Sequence, residues 1–327
     1  MTSPNDIPTK TASGRYTNVD FTKATNFALP VVKASYNRRD VLLFAAAIGC
    51  RKSTDLHFLY ELHPNFAAFP TFPINLPFKQ TSASVYDFFD RALVTNVPGV
   101  PPFDPQRSVD GERGIRILRA LPASSKGLDL EVAPRIVGYY DKGGNMVQEM
   151  EQEVRDARTG VVYCKLSSMA FGIGQGGYGG PEGPRAKVVG VPGRVPDRVS
   201  VFATTEETPL LYRLCGDYNP IHADDGFAKE GGFKGAFMQG LGTWNIAACG
   251  VLREWAGSEA NRLVSFRARF KDLVWPGDVL ETRMWGIGVR EDGIEEVVFQ
   301  TVVQGSGRVV LSNGFVEMKK GEEKSRL

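Results

Sequence analysis

The chain has 327 residues, 42% of them hydrophobic and 23% charged, with a formal net charge of +2. That length suits two domains of about 150 residues each, and the near-neutral balance supplies no strong field of the kind that nucleic-acid binders carry. There is no run of about 18 apolar residues for a membrane-spanning helix, and MTSPNDIPTK lacks the charged-then-apolar layout of a signal peptide.

Residues 1–35 show no regular pattern. NRRDVLLFAAAIG then reads as a helix, with Asp40 near its start and Gly49 at its end as cap signals. The four prolines of PNFAAFPTFPINLPF (64–78) forbid a regular helix there, and 83–93 is read as a short helix. From 113 to 172 the pattern is that of strands: IRILRAL, LEVAPRIVGYYD, NMVQEMEQEVRD and VVYCKLSSMAFGI, separated by the turn signals SSKG, DKGG and DARTG. The Gly- and Pro-rich GQGGYGGPEGPRAK that follows reads as a linker or exposed loop. The division expected is therefore a first domain over 1–175, a linker over 176–197 and a second domain over 198–327.

The second half repeats the theme. After a loop at 215–237 comes a helix at about 239–256. Met238, Leu241, Trp244, Ala248, Val251, Leu252 and Trp255 form one apolar stripe on it. LVSFRARF, VLETRMWGIG, EEVVFQTVVQG and RVVLSNGFVEM follow as strands, with turns at WPGD, EDG and GSG. One helix against several antiparallel strands is an α+β layer architecture.

Chemistry concentrates in GDYNPIH. Asp217 and His222 flank Asn219 and Pro220, and Asn-Pro makes a turn, since proline restricts the residue before it. A turn brings a carboxylate and an imidazole toward one point. Such a pair suits addition of water to a double bond: one group takes a proton from water and the other delivers one to carbon. His222 is one of three histidines, with His57 and His63 in other contexts. Taken alone, the motif reads more readily as a turn in which Asp caps local amides and His is merely exposed. Gly240, at the start of the striped helix, offers an unpaired amide at a positive helix end, suited to charge developing on an oxygen. By itself it also reads as a plain helix-start glycine.

Other signals carry less. Gly172, Gly174 and Gly177 fit G-x-G-x-x-G, but GGPEGP follows and cannot open the helix a dinucleotide site requires. Cys50, Cys164, Cys215 and Cys249 lack CxxC spacing and are read as reduced thiols of an intracellular protein, Cys215 as a small buried residue. His57 and His63 lack a third ligand, so no metal is expected. Asp224 and Asp225 are read as a solvated turn.

The stretch GDYNPIHADDGFAKEGGFKGAFMQGL resembles the signature of MaoC-like, (R)-specific enoyl-CoA hydratases. More widely, the chain resembles the hydratase 2 unit of peroxisomal multifunctional enzyme type 2 and its stand-alone fungal and plant relatives. DLHFLYELHPNFAAFPTF, FGIGQGGYGG and the WPGD turn share in this likeness. The resemblance implies a double hotdog, two α+β repeats in one chain, each an antiparallel sheet wrapped around a helix. It also implies catalysis in the second repeat and housing for the acyl chain in the first. Asp217 and His222 match the acid–base pair, Asn219 the residue positioning water or thioester, and Gly240 the amide on the thioester carbonyl. Gln239, Pro220, Ile221 and Leu241 are expected to contact substrate. Glu61 matches a family glutamate and is expected to support the domains structurally. No cofactor is implied beyond the CoA of the substrate, and a homodimer is suggested. Arg51, Lys52, Arg185, Lys187, Arg267, Arg269 and Lys271 are candidates for the CoA phosphates.

Two departures stand out. Gln239 replaces the usual His before the glycine, and VDGER (109–113) replaces L-H-G-E-Q, putting Asp110 where the family has a His. Both hint at an altered pocket. Ser325, Arg326 and Leu327 form a variant of the S-K-L address read by the peroxisomal import receptor. Three readings follow: an (R)-specific enoyl-CoA hydratase, a hydratase or dehydratase tailoring a CoA-linked specialised metabolite, or a silent acyl-CoA-binding module.

Overall fold

A computed structural model describes residues 6–12, 14–86, 88, 96–104, 107–184 and 188–321. The chain opens with a small hairpin, β1 (Thr9–Lys10) and β2 (Tyr16–Thr17), and a one-turn helix, α1 (Phe21–Ala24). Next come β3 (Val32–Lys33), α2 (Arg38–Ala47), α3 (Lys52–Leu59) and α4 (Leu76–Lys79). Four long strands complete the first half: β4 (Ser108–Ile117), β5 (Leu130–Lys142), β6 (Asn145–Asp156) and β7 (Val162–Gly172). The second half runs β8 (Arg198–Ala203), α5 (Glu207–Arg213), α6 (Asp225–Glu230), α7 (Gly240–Ala256), β9 (Leu263–Phe270), β10 (Val279–Val289), β11 (Ile294–Val303) and β12 (Val309–Lys319).

Ten strands form one antiparallel sheet in the order β3-β5-β6-β7-β4-β9-β12-β11-β10-β8. Read inward from either edge, each half gives its first, third, fourth, fifth and second strand. The two halves are thus the same supersecondary unit, joined edge to edge where β4 pairs with β9 and Gly114 lies opposite Arg267. In each unit the helix falls between the first and second strands: α2 in one, α7 in the other. This is the double hotdog.

Local chemistry sets the helix ends. Asn37 and Asp40 form a capping box at the start of α2, satisfying two orphan amides reciprocally. Helix α7 ends in a Schellman pattern, with Gly257 at φ +59° and the amides of Gly257 and Ser258 donating back to the carbonyls of Arg253 and Leu252. The apolar stripe read along α7 understates its burial, because Asn245, Gly250 and Arg253 are buried too. The sheet and the first half together bury every residue of the helix except Gly240, Glu254 and Trp255, which are half-buried. Trp244 meets Phe266 edge-on at 4.6 Å, and both are fully buried; burying a large apolar side chain contributes about 1.5–3 kcal/mol.

The strands read at 130–141, 145–156 and 263–270 appear where expected. IRILRAL (115–121) overlaps only the end of β4, which begins at Ser108. Cross-strand partners extend it: Glu112 lies opposite Arg269 and pairs with it at 3.2 Å. Strands β1, β2, β3 and β8 and helices α1, α3, α4, α5 and α6 were not anticipated, being short segments in which periodicity has no room to show. The helix read over 83–93 does not appear over 83–86, and most of its remainder lies outside the described residues. The glycine-rich stretch after β7 is not a slack linker in its first part. The amides of Gly177 and Gly179 donate to the two carboxylate oxygens of buried Asp141, at 2.9 and 2.8 Å.

Two polar networks tie the halves together. Asp55 pairs with Arg253 at 3.2 Å and accepts from Ser258 Oγ, while His57 Nε2 donates to the Ser258 carbonyl at 2.9 Å. Thr71 donates to Asn245 Oδ1 at 2.6 Å, Asn245 Nδ2 donates to the Tyr212 hydroxyl at 3.0 Å and to the Leu241 carbonyl at 2.9 Å, and Tyr212 donates to Asn75 at 3.0 Å. This corrects the support role expected of Glu61. It is exposed in the turn after α3 and makes no side-chain bond among the described residues, whereas Asp55 and His57, within α3, make the ties.

Candidate active site

The loop from Cys215 to Ala223 is held from both sides. Gly216 takes φ +126°, and a Cβ there would come within 2.8–2.9 Å of Lys79, so only glycine fits against α4. From the first half, the Tyr86 hydroxyl lies 2.9 Å from the Gly216 carbonyl and its ring meets Tyr218 edge-on. Asn219 caps the short turn Pro220–His222, accepting from the Ile221 amide at 3.2 Å. Asp217 Oδ1 lies 3.5 Å from the Asn219 amide.

His222 is buried, and its Nδ1 lies 2.9 Å from the Phe237 carbonyl. A carbonyl only accepts, so the proton of the neutral ring sits on Nδ1 and the lone pair on Nε2. Phe237 also stands edge-on to the imidazole at 5.0 Å and packs on Phe233 and Trp275. The Trp275 amide is bound to Asp278 at 2.9 Å, so the WPGD turn braces this aromatic wall.

Asp217 is half-buried, and its carboxyl is raised above the ordinary carboxylate range. Desolvation is the main cause; His222 and the Asn219 amide act against it. Two groups on β4 act on it as well: Asp110 raises it further and Arg113 lowers it. Arg113 grips Asp110 through Nη2 at 2.8 and 3.1 Å and Nε at 3.1 Å. The Arg113 carbonyl in turn accepts from Trp244 Nε1 at 3.1 Å, fixing this pair to α7. Sequence reasoning noted Asp110 as a departure and missed Arg113. The only available signal was their three-residue spacing, which in a strand promises no contact.

Gly240 begins α7, and the preceding Gln239 is extended and makes no side-chain cap bond. The first amides of the helix are therefore not capped from within the chain by that side chain. A Cβ on Gly240 would lie 3.3 Å from the Phe270 ring.

Gln239 differs from the substrate contact expected of it. Its side chain is fully buried and Nε2 donates to the Pro209 carbonyl at 3.0 Å, while its Oε1 is enclosed without a partner among the described residues. Leu241 likewise packs in the core, whereas Pro220 and Ile221 are half-buried at the loop surface. Cys215 is buried. Asp224 and Asp225 are solvent-exposed as expected, but they open a helix rather than a turn: Asp224 caps α6 through the Phe227 amide and Asp225 accepts from the Ala236 amide.

Of the basic candidates, Arg267 and Arg269 alternate with Phe266 and Ala268, which face the core, and both pair with Glu112 on the outer face of the sheet. Arg51 donates to the Val201 carbonyl at 3.1 Å and Lys52 is exposed. Lys271 is exposed directly after Phe270. Arg185 and Lys187 lie outside the described residues, as do Ser325, Arg326 and Leu327.

Fold and site together define a two-repeat hotdog protein with a desolvated carboxylate and a buried imidazole in one loop beside an open helix start. Comparison with known proteins agrees. Residues 34–174 match the family model described as MFE-2 hydratase 2 N-terminal domain, and residues 187–307 match the MaoC like domain. The chain belongs to the MaoC-like family, in its hydratase 2 branch. It is 42% identical to a probable dehydratase, NIT22, of Ajellomyces capsulatus over 91% of this chain and 82% of that one. It is 33% identical to a probable enoyl-CoA hydratase 2 of Dictyostelium discoideum, covering 90% and 95%. It is 31% identical to the peroxisomal multifunctional enzyme type 2 of Mus musculus over 91% of this chain, which spans 38% of that longer one. A solved MaoC-like dehydratase from Phytophthora capsici superposes with a TM-score of 0.81 at 33% identity, over 93% of this chain and all of that one.

Proposed function

We propose that the protein is a hydro-lyase that hydrates trans-2-enoyl-CoA to (3R)-3-hydroxyacyl-CoA, or runs the reverse dehydration. The observation that carries this reading is the His222–Phe237 bond. It fixes the imidazole with Nε2 as the proton-accepting nitrogen, in the same loop as a carboxyl that desolvation favours in its protonated form. Asp217 and His222 share the proton transfers around one water: one takes a proton as the oxygen adds to C3, and the other delivers a proton to C2. Asn219 orients the water or the thioester. The N–H of Gly240 donates to the thioester oxygen as negative charge develops there. An enoyl thioester is already activated for conjugate addition, so these steps run on the chain's own groups without a further cofactor. Lys271, exposed and directly after Phe270, whose ring lies by Gly240, is a candidate cation for a CoA phosphate.

The test is direct. Purified protein is incubated with crotonyl-CoA and decenoyl-CoA, loss of the enoyl thioester absorbance is followed, and the product is resolved by chiral chromatography. The (3R) product is expected; no hydration of any chain length, or a (3S) product, overturns the proposal.

A second reading is a dehydratase or hydratase serving a specialised CoA-linked substrate. The Asp110–Arg113 pair, whose charges act on Asp217, favours it, and the relative named a probable dehydratase points the same way. A substrate panel separates the two: high turnover on straight-chain enoyl-CoAs removes the second reading. A peroxisomal location is proposed by analogy with the mouse relative, and a homodimer from the family resemblance. Fluorescence of a tagged chain and sedimentation measure each.

A further inference from the structure

Cys50 and Cys249 lie 199 positions apart in the chain, yet their sulfurs are 3.7 Å apart. Cys50 follows α2 and Cys249 sits within α7, so the pair spans the central helices of the two halves. All four cysteines are free thiols. Cys164 and Cys215 are each buried, and neither has a second sulfur within bonding reach.

The surroundings of the pair decide what it can do. Arg253 Nη1 donates to Cys249 Sγ at 3.6 Å and to Asp55 Oδ2 at 3.2 Å. Asp55 also accepts from the Arg51 amide at 2.7 Å and from Ser258 Oγ. Donor atoms of Cys50, Asp55 and Cys249 fall within 4.8 Å of one another, which is close enough for a shared metal ion. But the carboxylate is already engaged on both oxygens, and a guanidinium supplies the positive charge that a metal would bring. That leaves the sulfur pair for covalent chemistry. Cys50 is half-buried rather than enclosed, giving a small oxidant an approach.

We propose that Cys50 and Cys249 form a reversible disulfide when the protein meets a hydroperoxide such as hydrogen peroxide, stapling α2 to α7 across the two halves. The Cys249 sulfur, which accepts from Arg253 Nη1, attacks one peroxide oxygen as it gives up its proton. The O–O bond breaks, and the departing hydroxide takes up a proton and leaves as water. Cys50 then attacks the resulting sulfenic sulfur, the S–S bond forms, the S–O bond breaks and a second water leaves. Two thiols and one peroxide thus become one disulfide and two waters. Closing the sulfurs from 3.7 Å to about 2.05 Å requires side-chain rotation within a cluster that already points them at each other. The hydrogen bond with Cys249, together with burial, raises the Cys50 thiol, so closure is slow at neutral pH and quickens in mild alkali.

The cross-link closes a very long loop, so it restrains the unfolded chain while leaving the Asp217–His222 loop untouched. The experiment treats the full chain with hydrogen peroxide, denatures it, alkylates it and counts labelled thiols by mass. Four labels are expected on reduced protein and two after oxidation, with recovery to four by dithiothreitol. A non-reducing peptide map is expected to join the Cys50 and Cys249 peptides, and the urea midpoint to rise reversibly. C249S is expected to lose both effects; C50A, at the more open position, is the second variant if C249S folds poorly. Four labels remaining after peroxide, a cross-link through Cys164 or Cys215, or one between two copies of the chain overturns the proposal. So does stoichiometric zinc on reduced protein that disappears in C50A, which would make the cluster a metal site.

Discussion

The Nδ1–H of His222 donates to the Phe237 carbonyl at 2.9 Å, and Phe237 lies three residues ahead of the first residue of α7. One bond therefore orients the imidazole and joins the GDYNPIH loop to the segment that leads into the open helix start. The loop itself is braced from the first half of the chain by Lys79 and Tyr86, so both halves position Asp217 and His222 relative to Gly240.

Asp217→Asn separates activity from stability. Hydration is expected to fall by roughly 10²–10⁴-fold, the usual worth of a positioned acid–base group; unchanged turnover would falsify its role and favour a silent binding module. The folded-state carboxyl is raised, so the native protein binds the extra proton more tightly than the unfolded chain does. Stability is fully present below the ordinary carboxylate range and is lost as pH rises through the raised value. The variant should thus be more stable than wild type in mild alkali, with the gain vanishing in acid. Urea midpoints across pH measure this.

Gly240 permits a clean test of a backbone donor. Proline is tolerated at the first helical position, and extended Gln239 suits a residue before proline. Gly240→Pro removes the N–H, and kcat is expected to fall by about 10²–10³-fold. Gly240→Ala keeps the N–H and meets the same Phe270 ring at 3.3 Å. If both variants lose activity equally, crowding rather than the amide is responsible.

The Asp110–Arg113 pair should tune the site without touching the reacting atoms. Arg113 lowers the Asp217 carboxyl and Asp110 raises it. The limb of the pH–rate profile that reports Asp217 is therefore expected to move to higher pH in Arg113→Met and to lower pH in Asp110→Asn. Shifts in the same direction, or none, would show that the pair does not act on Asp217.

Asn245 is fully buried and bonds Thr71, Tyr212 and Leu241. Asn245→Leu strands those partners away from water. A loss of about 1–3 kcal/mol per unsatisfied group is the relevant scale. Equilibrium unfolding in urea reads it, and a loss under about 0.5 kcal/mol, the scale of an ordinary surface substitution, would mean that the network does not hold the halves together.

Much of the fold was legible in the chain because the long strands carry their own pattern. LEVAPRIVGYYD and NMVQEMEQEVRD lie between unambiguous turns, and β5 and β6 occupy them. Beta4 was misplaced because its first residues, SVDGER, are polar and become a strand only through β7 and β9. Gln239 was misjudged for a related reason. Its place beside Gly240 suggested a substrate contact, but side-chain direction depends on packing, and the Pro209 carbonyl of α5 claims it.

By itself the sequence determined the repeat of strand blocks, the family signature and the candidate loop from Asp217 to His222. Those features are local, written in spacing and turn chemistry. Only the tertiary structure decided which neighbours act on that loop. Phe237 lies 15 positions from His222, Asp110 and Arg113 come from the other half, and Cys50 meets Cys249 across 199 positions. The contacts between halves arise where β4 and β9 join at the middle of the sheet, because that pairing brings the two helices into one core and places distant charges within electrostatic reach. Spacing along the chain holds no record of that closure.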